Sequence, residues 1–71
     1  MQYIDLGKYI KYKRKEGGIT LNKFAFANEI DPAILCRIEN QKQNIKLNIL
    51  KKIAEGFNQT PAEFLTDFEK I

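Results

Sequence analysis

The side chains that most often do covalent or acid–base chemistry are scarce in these 71 residues: there is no histidine and a single cysteine, Cys36. No glycine-rich phosphate loop is present, and the acids fall on ordinary helix surfaces or helix starts rather than in a cluster. Nucleophile–base pairs and the common metal sites have nothing to build on, so neither an enzyme, a metal centre nor a cofactor is expected. What remains is the chemistry of Lys, Arg, Asn and Gln, which hydrogen-bond and attract anions. The net charge is +3, and it is unevenly spread. Residues 1 to 15 hold five bases against one acid (+4), residues 16 to 54 six bases against four acids (+2), and residues 55 to 71 one base against four acids (−3). The first two-thirds of the chain is thus suited to approach an anion and the tail is not.

Helices must position these groups, because the apolar residues recur at three- and four-residue spacing and no strand pattern is convincing. The most informative stretch is Thr20 to Asn40, which reads as two short helices, Leu21 to Asn28 and Pro32 to Asn40, around the sharp corner Asn28-Glu29-Ile30. Phe24, Ala25, Ile30, Leu35 and Ile38 can all point inward if these helices cross steeply, with small Ala25 at the close approach. Thr20 can cap the first, and Asp31 the second, with Pro32 where a missing N–H costs nothing. A preceding helix over Ile4 to Glu16 places Leu6, Ile10 and the stem of Arg14 on one stripe, extended by Tyr3, and Gly17-Gly18 stops it. Tyr9 and Tyr12 are expected to be partly buried beside the core. After the polar loop Gln41 to Lys46, a fourth helix, Leu47 to Phe57, aligns Leu47, Leu50, Ile53, Ala54 and Phe57. The fifth opens on Thr60-Pro61-Ala62-Glu63, an N-cap, first-turn proline and capping-box glutamate, and Phe64, Leu65 and Phe68 give it an apolar side.

From Leu6 to about Leu65 the chain resembles the Cro/lambda-repressor-like, XRE-type helix-turn-helix family. The resemblance rests on Leu6, Gly7, Ile10, Arg14, Ile19-Thr20, Phe24-Ala25, Ile30, Leu35, Arg37-Ile38-Glu39-Asn40, Leu50, Ile53-Ala54, Phe57 and Glu63-Phe64-Leu65. It implies an all-α fold, a compact five-helix domain over residues 1–71 with the helix-turn-helix formed by helices two and three, and a sequence-specific regulator of transcription that binds double-stranded DNA. Helix three would enter the major groove with Pro32, Ala33, Cys36 and Arg37 toward DNA, where only Arg37 can bond a guanine in bidentate fashion. Ala33, with Ile34 beside it, could touch a thymine methyl. Asn40, Lys42, Gln43 and Asn44, with Lys23 on helix two and the backbone N–H groups at its start, would contact phosphates. The resemblance also pairs Arg14 with Glu39, tying helix three to helix one. Cys36, placed in a helix interior and the chain's one cysteine, is read as a small contact residue rather than a redox sensor.

The chain departs from the family pattern at three places. Leu21 replaces a frequent glutamine, Lys13 a frequent apolar residue, and Glu29 the glycine of the turn, where a left-handed conformation costs a side chain about 1–2 kcal/mol. With three of four recognition positions lacking a strong hydrogen-bonding group, part of the readout is expected to come through DNA shape. The sequence further leads us to expect a repressor acting as a homodimer on a pseudo-palindromic operator, with Phe68 and Ile71 facing the partner subunit. One thiol, no leader-like first segment and no apolar run of about 20 residues lead to the expectation of a cytoplasmic protein without membrane contact. The competing reading is a protein-interaction module of antitoxin-like or partner-binding type, using the apolar Pro32-Ala33-Ile34-Cys36 surface.

Overall fold

The computed structural model describes residues 6–70 and builds them into five helices: α1 Leu6–Glu16, α2 Leu21–Ala27, α3 Pro32–Glu39, α4 Leu47–Gly56 and α5 Pro61–Glu69. No strand occurs among the described residues. The expected helix start at Ile4, the place of Tyr3 on the first stripe and the role given to Ile71 lie outside them. Three helices end one residue earlier than the sequence suggests, because Asn28, Asn40 and Phe57 are caps. Each still bonds its N–H to the helix behind it, but φ has moved to between −92° and −113° and the turn is not continued.

Helix starts are set by side chains that satisfy N–H groups the helix itself cannot. Thr20 Oγ1 accepts from Lys23 N, and Asp31 Oδ1 accepts from Ala33 N at 2.8 Å. Thr60 and Glu63 form the full reciprocal capping box, at 3.1 and 2.8 Å. The corner between α2 and α3 turns through Glu29, which adopts φ 57°, as the family resemblance implies for the residue standing in for glycine. Its strain is offset locally, since Ile30 N bonds Ala25 O at 2.8 Å and Lys52 Nζ donates to Glu29 O at 2.9 Å from α4.

The core gathers Ile10, Phe24, Ala25, Ile30, Leu35, Ile38, Leu50, Ile53, Ala54 and Phe64, so the inward positions expected of α2 and α3 are all buried. An aromatic column joins three helices and a loop: Phe24 stacks on Phe57 (4.8 Å between centroids), Phe57 on Phe64 (5.8 Å), and Tyr9 tilts against Phe64 and Phe68 (5.4 and 5.2 Å). Lys13 has its charge over this column, with Nζ 5.0–5.8 Å from the Phe57, Phe64 and Tyr9 rings, and it donates to Gln59 Oε1 at 3.1 Å. A half-buried lysine with its cation over the rings covers the column where the family resemblance has an apolar residue.

Two expectations are corrected. Leu47 is 76% exposed rather than part of the buried stripe: it is the first residue of α4, and the burial of that helix begins with Ile49 and Leu50. Tyr12 is 59% exposed, since the face of α1 that it shares is not the one that Tyr9 and Ile10 bury. Phe68, half-buried, packs one side against Tyr9 and the core cluster.

Two features hold α1 against α3. The Arg14 guanidinium meets the Glu39 carboxylate with two parallel bonds, Nε to Oε2 and Nη2 to Oε1, both 2.8 Å, and Nη1 donates to Ile19 O at 2.8 Å. The side chains are 7% and 2% exposed, and theirs is the only ion pair among the described residues. Those bonds hold the guanidinium above its ordinary range, against a burial that pulls the other way. Gly7 lies where α1 crosses the end of α3, and a Cβ there would collide with the Ile38 carbonyl. The pair and the glycine act on the same crossing from opposite ends of α1.

Replacing either Arg14 or Glu39 with Ala should cost about 3–5 kcal/mol by leaving a buried charge unmatched, and the double variant should lose far less than the sum. A double-mutant cycle on urea unfolding measures this, and additive losses would mean that the pair contributes nothing as a pair. Gly7→Ala improves helix propensity by about 1 kcal/mol but forces the crossing apart, so a net loss of about 1–3 kcal/mol is expected in the same assay.

Candidate nucleic-acid interface

Helix α3 divides sharply into two faces. Leu35, Ile38 and Glu39 are buried, while Ala33, Cys36 and Arg37, with the cap Asn40, are exposed. Pro32 and Ile34 are half-buried, and Ile34 packs against the core cluster, which makes it a packing residue before it is a contact. The exposed face is therefore narrow and polar at its C-terminal end, where Arg37 stands in the last turn. Cys36 accepts a bond from Asn40 Nδ2 at 3.4 Å, one helical turn on. That contact occupies the Asn40 amide against its own helix and gives the thiol a polar neighbour.

The segment after α3 folds back instead of leading away. Gln41 adopts φ 63°, Gln41 N bonds Ile38 O at 3.0 Å, and Lys42 N bonds Arg37 O at 2.8 Å, satisfying the last carbonyls of the helix. The reversal brings Gln43 beside the exposed face of α3, where its Oε1 accepts from Arg37 Nε at 2.8 Å. Lys42 and Asn44 are exposed on either side of it, and Lys23 is exposed on α2. All nine residues picked from the sequence are at least partly accessible, but the structure divides them into different groups. Arg37 pairs with Gln43 and Cys36 with Asn40; Lys23, Ala33, Lys42 and Asn44 are exposed without belonging to either pair, and Pro32 is half-buried. The Arg37–Gln43 bond is the feature that sequence reading missed. Its only signal was a glutamine six residues beyond an arginine, and its formation depends on the left-handed residue between them.

Electrostatically, the bases are not equivalent. Arg14 is spent on Glu39, Lys13 lies on the aromatic column and Lys52 bonds the α2–α3 corner. The basic run of α1 thus contributes fewer charges to an outer surface than its composition suggests, while Lys23, Arg37, Lys42, Lys46 and Lys51 keep exposed heads on α2 to α4. The acids Glu63 and Asp67 are used in the cap and fold of α5, where Asp67 Oδ2 accepts from Gln59 Nε2 at 2.6 Å. Among the described residues no group of three or more His, Cys, Asp or Glu is placed to hold a metal ion, and no helix is long and apolar enough to cross a membrane.

Comparison with known proteins places this geometry in context. The chain is similar to the control protein C.MunI of a Mycoplasma species, with 35% identity over 68 residues that cover 94% of this chain and 92% of the relative. It shares its fold with the crystal structure of the clp gene regulator ClgR from Corynebacterium glutamicum, at a TM-score of 0.78 and 21% identity, covering 93% of this chain and 70% of that one. A family model described as helix-turn-helix matches residues 10–64, from the buried Ile10 of α1 to the buried Phe64 of α5. With that span taking in the α2–α3 unit and every helix packed around it, the chain belongs to the helix-turn-helix family of DNA-binding transcriptional regulators.

Proposed function

We propose that α3 lies in the major groove of double-stranded DNA and that Arg37 reads a guanine there, making the protein a sequence-specific regulator that represses by occupying its operator. The observation that carries this reading is the division of α3. Its inner face is locked to α1 through the buried Glu39, and its outer face presents Arg37 at a helix end flanked by exposed Lys42 and Asn44. A guanidinium can donate two parallel bonds to O6 and N7 of guanine, whereas Ala33 and Cys36 are small enough to let the helix approach the base edges. Lys23, Lys42 and Asn44 supply contacts to phosphate that position the helix without reading sequence. The likeness to a protein named as a control protein supports a regulatory use of such binding.

The alternative of a protein-binding module loses ground to the half-burial of Pro32 and the packing of Ile34 into the core, which remove much of the apolar surface it needs. We also infer a homodimer on a pseudo-palindromic site, with the two recognition helices about one helical turn, roughly 10 base pairs, apart. The contact is drawn from the C-terminal end, where Leu65 and Phe68 are half-buried in the single subunit.

Selection from random duplex pools by gel shift at two salt concentrations tests the reading. Log affinity should fall by about 0.9 per phosphate contacted for each tenfold rise in salt. Lys42→Ala should weaken all duplexes alike and flatten that slope by about one. Arg37→Ala should cost about 1–3 kcal/mol at one base pair of each half-site and relax the preference there; equal losses on matched and mismatched duplexes would remove Arg37 from base reading. Sedimentation of the DNA-free protein at tens of micromolar should give a dimer, and a monomer that pairs only when operator is added would confine assembly to DNA.

A further inference from the structure

The reversal after α3 puts a hydrogen-bond acceptor against one nitrogen of an exposed arginine, and this arrangement does little for stability. An exposed bond between two long side chains contributes weakly to folding, and neither residue belongs to the core. What the bond does is to fix direction. The Arg37 guanidinium has three donor nitrogens, and it can present a fork either end-on, through Nη1 and Nη2, or side-on, through Nε and one Nη. Gln43 Oε1 takes Nε at 2.8 Å, which closes the side-on edge and leaves the end-on edge for a ligand. The backbone that carries Gln43 is itself fixed to the same helix turn, because Lys42 N bonds the carbonyl of Arg37 and Gln41 holds the left-handed kink between them.

We propose that Gln43 is a positioning residue for base readout: by accepting from Arg37 Nε it holds the guanidinium end-on toward the guanine, rather than contacting phosphate itself. This rests on the reading of Arg37 as the base-reading residue. An arginine left free on a helix surface must be immobilised on binding, and ordering one such side chain costs binding about two- to tenfold. Gln43 bears that ordering before DNA arrives. The benefit falls only on the duplex that offers guanine at the right place, since a mismatched pair gives the ordered fork nothing to bond.

Gln43→Met keeps the length and bulk of the side chain and removes the acceptor. Binding of this variant, of Arg37→Ala and of the double variant should be measured on the duplex selected by the wild-type protein and on the same duplex changed at the base pair that Arg37 reads. The Gln43→Met change should lower matched-over-mismatched discrimination at that base pair about two- to tenfold, leave binding to the mismatched duplex and the salt slope unchanged, and have no further effect in the Arg37→Ala background. In the free protein the Nε–H resonance of Arg37 should be ordered by 15N relaxation in the wild type and mobile in Gln43→Met. A uniform loss on both duplexes with a shallower salt slope would overturn the proposal and make Gln43 a phosphate contact. Unchanged discrimination, or a full loss retained in the Arg37→Ala background, would overturn it as well. If Arg37→Ala itself leaves discrimination intact, the reading of Arg37 fails, and the assignment of Gln43 falls with it through a different measurement.

Discussion

The buried bond between Arg14 and Glu39 is the constraint on which the rest of this small domain depends. A helix of eight residues has little stability of its own, and α3 exposes much of one face to solvent. It must be fixed by its other face and by its ends. Leu35 and Ile38 supply the apolar part, but packing of aliphatic side chains resists sliding and rotation poorly. A planar guanidinium facing a carboxylate with two bonds at 2.8 Å has only one good geometry. Because Arg14 also donates to Ile19 O, the same side chain pins the chain entering α2. One arginine therefore sets the position of both halves of the helix-turn-helix relative to α1.

Removing charges from water is expensive, and the net gain in stability from such a pair is small compared with an apolar replacement. Its value here lies in orientation. The outward face of α3 carries few groups that can discriminate between bases, and Arg37 is the strongest of them. On the proposed reading of α3, a helix with one strong reading group cannot average over errors in its placement. Rigidity is supplied twice, by Arg14 and Glu39 below the helix and by the reversal at Gln41 above it.

Much of this was legible in the sequence because the signals were local. Thr20, Asp31 and Thr60 stand at the beginnings of their helices for hydrogen-bonding reasons that depend on one to three neighbouring residues. The inward positions of α2 and α3 follow from spacing, while the left-handed conformation of Glu29 was legible through the family resemblance, which has glycine there. The pairing of Arg14 with Glu39 spans 25 residues and came through family resemblance, since spacing alone does not join them. What could not be read were consequences of packing between elements. Leu47 falls on the apolar stripe of α4 by period yet is 76% exposed, because the burial of that helix begins only with Ile49 and Leu50. Lys13 looked like a flaw in the first helix until Phe57 and Phe64, more than forty residues away, were seen beneath it.

Glutamine 43 shows the same limit at the site. In sequence it is one polar residue in a polar loop, indistinguishable from Asn44 or Lys42 as a partner for phosphate. Its role is set by the backbone direction at Gln41, where a residue with a side chain takes φ 63° and turns the chain back across the helix end. Were Gln41 to continue in an ordinary conformation, Lys42 N would leave the Arg37 carbonyl and Gln43 would be carried away from the guanidinium. A strained residue of this kind persists only where its surroundings determine it, and strain of about 1–2 kcal/mol has to be offset by the bonds it makes possible. The two capping bonds at the end of α3 supply part of that offset. The same backbone angle thus closes the carbonyls at the end of α3 and brings Gln43 to the Arg37 guanidinium, so the ending of the helix and the proposed aim of Arg37 depend on one residue.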